Sequence, residues 1–413
     1  MIIRKEISRY LVNELDPVRA ALAKIDGNED GIVFCVSERG LLIGVLTDGD
    51  LRRWLIRDSK PDIERPVGQI VNQHYVSANA TDKPERIAAL LKGAHKVVPL
   101  VDKNGCCVAM ASRRKPRIDV AGRRIGAGYS TYVIAEIGNN HQGSLEMAKR
   151  LIDEAVATGA DCAKFQMRDL ASLYKSDAAA GRDAEDLGTQ YTVDLLSRFQ
   201  LTPDDLFRAF DYCVAKGIQP LCTPWDLPSF EALEKYGLAG YKTASADFTN
   251  DELLKSISQA GKPMICSTGM CTDAEIKHGI SLLQRHGAQF ALLQCNSTYP
   301  APFKDINLRY MERLRTAGDC PVGYSSHDRG INIAVAAVTL GASIIEKHFT
   351  LDRTLEGNDH RVSLLPAEFA QMVEAIRQVE LALGDGETRQ LSQGELMNRE
   401  TLGKSLFARR AIR

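Results

Sequence analysis

Two histidines stand 21 residues apart, His327 in SSHDRG and His348 in EKHFT, with Glu346 two residues before the second. Two imidazoles plus water or substrate oxygens suit Mn²⁺, Co²⁺, Fe²⁺ or Mg²⁺ in an open, Lewis-acidic site better than structural zinc, which is closed by four protein ligands. Lys164 and Lys242 lie inside apolar segments (CAKFQM and GYKTA), as do Glu136 (VIAEI) and Glu346 (SIIEKHF). Packing gives no reason for such charges, because a buried Lys or Glu is costly unless paired. Taken singly, each reads as half of an ion pair. Taken with Thr223, Ser245, Ser267, Ser325 and the loop Asn296-Ser297-Thr298-Tyr299, the lysines suit a dianionic phosphate beside a carboxylate.

The elements that must position these residues begin at Tyr132. Short apolar segments alternate there with amphipathic ones, and strands are predicted over 133–137, 162–167, 219–223, 240–244, 263–268, 290–295, 322–326 and 343–349. LEMAKRLIDEAVATG sets Leu145, Ala148, Leu151, Ile152 and Ala155 on one helical face, and INIAVAAVTLGA reads as a buried helix. Eight strands with intervening helices over about 250 residues is the arithmetic of an α/β fold, the (β/α)₈ TIM barrel. A doubly wound sheet would want a Gly-rich first turn, and Gly138-Asn-Asn-His-Gln-Gly143 is not one. Barrels place their chemistry at the C-terminal strand ends. Glu136, Lys164, Gln166, Thr223, Lys242, Ser245, Asp247, Ser267, Ser325, His327, Glu346 and His348 all fall there, so they are expected to converge. His141, in the first βα loop, is expected to line the site, and His360 lies in a loop beside Asp359.

The first hundred residues repeat at a shift of 65: Val36 to Gly44 falls on Val101 to Ala109, and Leu22 and Ile25 fall on Ile87 and Leu90. Each copy reads as a helix, a strand, a Gly turn and a second strand. Asp16-Pro17 and Thr81-Asp82 are expected to start the helices. Neither half buries its apolar face alone, and two stacked halves do. Gly44-Val-Leu-Thr47-Asp-Gly-Asp50 before LRRWLI resembles the CBS-domain (Bateman module) signature. The resemblance implies an adenosine nucleotide, with Asp50 on the ribose hydroxyls and Thr47 near phosphate. In the second copy Thr47 falls on Ser112 and Asp50 on Lys115, so at most one ribose site is expected. A packing or dimerisation module without ligand is the alternative. The domain plan is a tandem CBS pair over 1–115, a linker over 116–128 that overlaps the basic stretch RRKPRIDVAGRR (113–124), the barrel over 129–390 and a C-terminal tail over 391–413.

Lys+Arg is 52 and Asp+Glu is 53 in 413 residues, a net charge of −1, which argues against nucleic acid or an anionic membrane as partner. No apolar run reaches the length of a membrane span, and the charged start MIIRKEISRYLVNEL has no signal-peptide core. Ten scattered cysteines without a CxxC pair predict reduced thiols and a cytoplasmic location.

The stretches VIAEIGNNHQGS, GADCAKFQM, LCTPWD, YKTASADFTN, GKPMICSTGM, QCNSTYPAPFKDINL, VGYSSHDRG and GASIIEKHFTLDRTLEGNDHRVSLLP are collinear and resemble the sialic acid (N-acetylneuraminate, or ulosonic acid) synthase family. The resemblance implies condensation of phosphoenolpyruvate with N-acetylmannosamine or a related amino sugar, water addition, phosphate release and a nine-carbon 2-keto-3-deoxy sugar acid. It implies a divalent metal on His327 and His348, Mn²⁺ first, with Mg²⁺ or Co²⁺ as alternatives. By position, Lys164, Thr223, Lys242, Ser245, Ser267, Asn296, Ser297 and Ser325 would bind phosphoenolpyruvate. Gln166, Asp247, Tyr299 and Asp359 would face the sugar, and Glu136, Glu346 and the two lysines would be catalytic, Glu136 or Glu346 steering the water. Ser297 replaces an Asn that helps bind phosphate in relatives, with Asn296 as its expected substitute, and Ser326 stands where an Asp often precedes the metal histidine. Relatives continue past the equivalent of RRAIR into a small antifreeze-like domain that supplies an arginine to the sugar's acyl group. Another element or a different sugar is expected here. Barrels of this kind and CBS pairs both self-associate, so a dimer or tetramer is expected. Two other readings compete: a nucleotide-binding scaffold with a degenerate barrel, and a Schiff-base pyruvate aldolase, which needs a lysine with a lowered pKa, at Lys164 or Lys242.

Overall fold

The computed structural model describes residues 2–413 except 6, 29, 59, 92–94, 113–115, 174–194, 385–388, 405–408 and 411–413. It divides into two compact units, Met1–Lys115 and Pro116–Arg413. Among the described residues no helix is long and apolar enough to cross a membrane.

The first unit carries β1 (Ile2–Arg4), β2 (Leu11–Asn13), α1 (Val18–Gly27), β3 (Ile32–Val36), β4 (Leu42–Thr47), α2 (Asp48–Arg57), β5 (Ala78–Asn79), α3 (Pro84–Leu91), β6 (Val97–Val101) and β7 (Cys107–Ser112). They form the sheets β2-β3-β4 and β1-β7-β6-β5. The sequence repeat is also a backbone repeat. Ile32 faces Thr47 as Val97 faces Ser112, and the two ladders slip at equivalent places, Cys35/Val36 and Leu100/Val101. The two Gly turns bond to one another, Leu42 N to Gly105 O and Cys107 N to Gly40 O. The expected helix caps are not there. Asp16 turns its carboxylate back to Asn13 N at 2.8 Å, and Asp82 does the same to Asn79 N at 2.9 Å. Each satisfies an amide at a strand end, and the helices begin later, at Val18 and Pro84.

The second unit opens with a correction. Residues 116–128 are not a bare linker: β8 (Arg117–Val120) and β9 (Arg123–Gly126) pair antiparallel. Ile118, Val120 and Ile125 alternate inward, as a half-buried hairpin requires, and pack with Ile134, Cys162, Leu221, Ile265, Leu293 and Ile344. Those six belong to β10 (Tyr132–Gly138), β11 (Cys162–Met167), β12 (Gln219–Pro224), β14 (Met264–Ser267), β15 (Phe290–Cys295) and β17 (Ile344–His348), which with β13 (Tyr241–Thr243) and β16 (Val322–Ser326) close an all-parallel barrel in chain order. Basic residues at the hairpin's exposed positions disguise it as linker in the sequence. The tail over 391–413 also holds structure, a helix over Gln393–Leu402 capped by Ser392 and Glu395. The apolar helix Asn332–Thr339 buries only Ala334, Ala337 and Val338 and leaves adjoining Leu340 47% exposed, because an outer-ring helix has one inward face.

Period-two alternation separates two kinds of interior. Outward residues such as Ala135, Phe165, Cys222, Leu292 and Ile345 pack under the helices. Inward residues are apolar near the strand starts, over the hairpin, and become polar toward the strand ends. Ile134 gives way to Glu136, Cys162 to Lys164, Leu221 to Thr223, Ile265 to Ser267, and Ile344 to Glu346 and His348.

Candidate active site

The polar strand ends enclose a cavity of about 280 Å³. Its floor is a quartet of buried charges held in register by the sheet: Glu136 pairs with Lys164 on β11 and with His348 on β17, and Ser325 pairs with Glu346. Lys164 Nζ lies 2.8 Å from Glu136 Oε2 and 3.9 Å from Glu346 Oε2, and donates to Thr223 Oγ1 at 3.1 Å. Lys242 Nζ donates to Ser267 Oγ at 2.6 Å and to the Thr243 carbonyl at 2.7 Å, and lies 3.9 Å from Glu346 Oε1. Glu346 Oε1 accepts from Ser325 Oγ at 2.9 Å. Gln166 Nε2 donates to Glu136 Oε1 at 2.6 Å, and Arg168 holds that amide by donating to Gln166 Oε1 at 2.5 Å.

The two carboxyl groups are driven apart electrostatically, as two acids sharing a site are. Burial pushes Glu136 up to about 7, and neighbouring Glu346 adds to the rise while Lys164 opposes it. Glu346 is also desolvated, but Lys164 and Lys242 outweigh burial and hold it below the usual carboxylate range. Lys164 is raised because Glu136 and Glu346 overcome its desolvation, so it stays an ammonium. Burial lowers Lys242.

The imidazoles meet on one wall, with ring centroids 5.3 Å apart. His327 Nδ1 lies 2.7 Å from the Asn296 carbonyl. A carbonyl only accepts, so the proton is on Nδ1 and the Nε2 lone pair is free. Cys295 Sγ is 3.7 Å from the same nitrogen, and against the pull of burial these neighbours raise the His327 pKa. Burial lowers His348 to about 4, and its Nδ1 has no hydrogen-bond partner, with Asp359 Oδ2 3.7 Å away. Tyr299 stacks on His327 at 4.0 Å between centroids. A neutral imidazole with a buried, unpartnered nitrogen beside a second whose tautomer is fixed by a carbonyl fits a cation-binding pair. No group of three His, Cys, Asp or Glu forms a fuller ligand set among the described residues.

A hydroxyl-lined niche adjoins Lys242. Gly269 N donates to Ser245 Oγ at 3.1 Å. A Cβ on Gly269 would lie 2.5 Å from Ser297 Oγ and 2.8 Å from Ser245 Oγ, so only glycine leaves this niche open. Ser297 Oγ is buried without a partner.

The structure thus brings Glu136, Lys164, Gln166, Thr223, Lys242, Ser245, Ser267, Ser297, Tyr299, Ser325, His327, Glu346 and His348 around one cavity. Four of the expected residues do not line it. The Asn296 side chain bonds Asp305 O and Thr298 N in its own loop, and only its carbonyl serves the site, through His327. Asp247 sits in the 3₁₀ turn Ser245–Asp247, where burial raises it to about 6 and Oδ2 has no partner. Asp359 stands behind His348. His141 is a core histidine: it stacks on Phe165, accepts from Gly143 N at 3.1 Å, and burial lowers it to about 4. His360 bonds Thr350 Oγ1 at 2.8 Å. Sequence reading missed Trp225, Met270 and Cys295 on the cavity wall. Cys295 was within reach of the alternation rule, two residues after inward Leu293, but a cysteine in a strand reads as a small hydrophobe. In the first unit, Thr47 and Asp50 form a reciprocal capping box at the start of α2, and Asp50 Oδ1 also pairs with Arg53 at 2.5 Å.

Residues 151–388 match the NeuB family. The chain is 39% identical over 291 residues to the N,N'-diacetyllegionaminic acid synthase of Campylobacter jejuni, an alignment covering 68% of this chain and 86% of that one. It is 38% identical over 290 residues to the N-acetylneuraminate-9-phosphate synthase of Homo sapiens, covering 70% of this chain and 80% of that one. Among solved structures, the N-acetylneuraminic acid (sialic acid) synthetase of Leptospira borgpetersenii in complex with citrate matches at a TM-score of 0.62 and 33% identity, covering 70% of this chain and 99% of that one. On the barrel, its polar strand ends and these matches together, the chain belongs to the NeuB family, that of the sialic acid synthases.

Proposed function

We propose that the barrel joins phosphoenolpyruvate to the open-chain aldehyde of an N-acyl amino sugar, adds water and releases phosphate, giving a nine-carbon 2-keto-3-deoxy sugar acid. The observation that carries this reading is the placing of the Lys164–Glu136–Glu346–Lys242 quartet and the His327–His348 pair in one cavity. Lys242, Ser245, Ser267 and Ser297 hold the phosphate, and Lys164 and Thr223 the carboxylate. The lysines act as fixed ammonium groups whose charge is already in place when negative charge moves. Carbon 3 of phosphoenolpyruvate bonds to the aldehyde carbon, and the aldehyde oxygen takes a proton. Carbon 2 becomes electron-poor, and ionised Glu346 stabilises it. Water bonds to carbon 2 as Glu136 takes its proton, a transfer suited to a group titrating near 7. The carbon 2–oxygen bond to phosphate then breaks, phosphate leaves with the bridging oxygen, and the remaining hydroxyl yields the keto group or its hemiketal. A divalent cation, Mn²⁺ before Mg²⁺ or Co²⁺, held by His327 and His348 would supply Lewis acidity at the aldehyde oxygen. Gln166 and Tyr299 bound the sugar side, and Asp247 and Asp359 act on it from outside the cavity lining.

Phosphoenolpyruvate carrying ¹⁸O in its bridging position tests the chemistry. Label recovered in released phosphate supports the reading. Label recovered in the keto acid contradicts it. One observation favours a second reading, a Schiff-base aldolase at Lys242: its pKa is lowered by burial. Borohydride trapping with pyruvate that is abolished in Lys242→Met would establish that reading instead.

For the first unit we infer an adenosine-nucleotide effector at Thr47 and Asp50, supported by the Gly-x-x-Thr-x-x-Asp stretch that runs into the first turn of α2. The ribose would displace Arg53 from Asp50. Calorimetry with ATP, ADP and AMP, repeated on Asp50→Ala, decides between an effector site and a packing module. We further propose a cytoplasmic dimer or tetramer, supported by ten unpaired cysteines and by the tendency of such barrels to self-associate. Light scattering on the full chain measures the assembly.

A further inference from the structure

The outward side of β16 and β17 carries a polar cluster for which the chemistry above has no use. Lys347 lies between Glu346 and His348, and strand alternation turns it away from the cavity into the layer beneath the helices, where it is fully buried. Its Nζ donates to Ser326 Oγ at 2.7 Å and to the Asp328 carbonyl, with Asp328 Oδ2 3.7 Å away. Asp328 Oδ1 in turn accepts from Ser326 Oγ at 2.5 Å and from Tyr324 OH at 2.6 Å. The layer around it is largely apolar, with the Arg353–Glu368 ion pair the further charges that act on Lys347. A well-packed apolar side chain at 347 would serve stability as well or better than a buried ion pair. The bonds have one common feature. They start on the residue preceding His348 and end on the two residues flanking His327, so they tie the peptide that carries one imidazole to the peptide that carries the other.

We propose that Lys347 and Asp328, with Ser326 between them, are positioning residues that set the separation and tilt of the His327 and His348 imidazoles and thereby the affinity of the pair for a divalent cation. This rests on the reading of that pair as a cation site. No group of the cluster lines the cavity; it acts through the backbone on both sides of His327 and immediately before His348.

Co²⁺ serves as the probe with the full chain, because its visible absorption reports ligand geometry as well as occupancy. Wild type and His327→Ala are titrated first. Equal binding in both would refute the cation site itself, and the proposal with it. Given binding that depends on His327, the double variant Lys347→Met/Asp328→Asn removes both charges together. It is expected to weaken Co²⁺ by about 10–100-fold, the range for lost outer-shell support of metal-binding histidines, and to alter the spectrum. Should the double variant fail to fold, Ser326→Ala and Tyr324→Phe, which each remove one hydroxyl and leave both charges, carry the test, with weaker binding and an altered spectrum expected in Ser326→Ala. Unchanged Co²⁺ affinity and spectrum in the double variant, or in both hydroxyl variants if they alone fold, would assign the cluster to stability only and overturn the proposal, whatever the fall in Tm.

Discussion

Glu136 and Asp247 are both desolvated carboxyl groups, and they differ in where they stand. Glu136 lines the cavity, where Lys164 and Gln166 offset its burial only in part. Glu136→Gln is expected to lower kcat by about 10²–10⁴-fold, the usual worth of a positioned general base, with KM for phosphoenolpyruvate within a few-fold of wild type. Steady-state kinetics checks both numbers, and a change confined to KM would assign Glu136 to binding. Asp247 has weaker support, Asn250 at 3.5 Å on one oxygen and nothing on the other. Its pKa rises from 3.8 to about 6. Between those values the folded protein holds a proton that the unfolded chain has lost, so stability falls as pH rises through this window and stays lower above it. Asp247→Asn is expected to stabilise the protein by about 2–3 kcal/mol at pH 7.5, the shift converted at about 1.4 kcal/mol per unit, and by almost nothing near pH 3, below the unfolded value. Denaturant melts at the two pH values measure this, and a gain of equal size at both would refute the assignment to desolvation.

The strand ends and the hairpin act at the scale of elements, one for chemistry and one for stability. Gly269 keeps open the hydroxyl-lined niche proposed for phosphate, and Gly269→Ala is expected to raise KM for phosphoenolpyruvate at least tenfold with the far-UV spectrum unchanged. Ile125, on the hairpin, is fully buried among barrel residues. Ile125→Ala is expected to cost about 2–5 kcal/mol of stability while leaving KM within a factor of two, read by urea unfolding and kinetics on the same preparation. Much of this was legible in the sequence. Barrel strands announce themselves as short apolar runs, and a charge within such a run points to the cavity because the alternation has only two faces. Irregular backbone was not legible. Asn296 and Ser297 are neighbours in a loop without a period, and only the fold decides that Ser297 faces the cavity while Asn296 turns to Asp305. The hairpin was hidden because its two four-residue strands bury only three side chains, Ile118, Val120 and Ile125, too few to outweigh the arginines beside them.

At the scale of the molecule, the division between Met1–Lys115 and Pro116–Arg413 falls just before the hairpin. A chain beginning at residue 116 is expected to keep the barrel's fold and its KM values, and one beginning at residue 129 to lose stability, because it exposes the apolar barrel bottom that Ile118, Val120 and Ile125 cover. Thermal melts of the two truncations separate this account from one in which 116–128 merely connects. The most direct test of the central claim is phosphate release from phosphoenolpyruvate across a panel of N-acyl hexosamines, with Mn²⁺ and then with EDTA, in wild type and His327→Ala. Release that requires both sugar and metal, yields a 2-keto acid and is abolished in His327→Ala is the predicted result. Silence across the panel, or release indifferent to EDTA and to His327, would contradict the account.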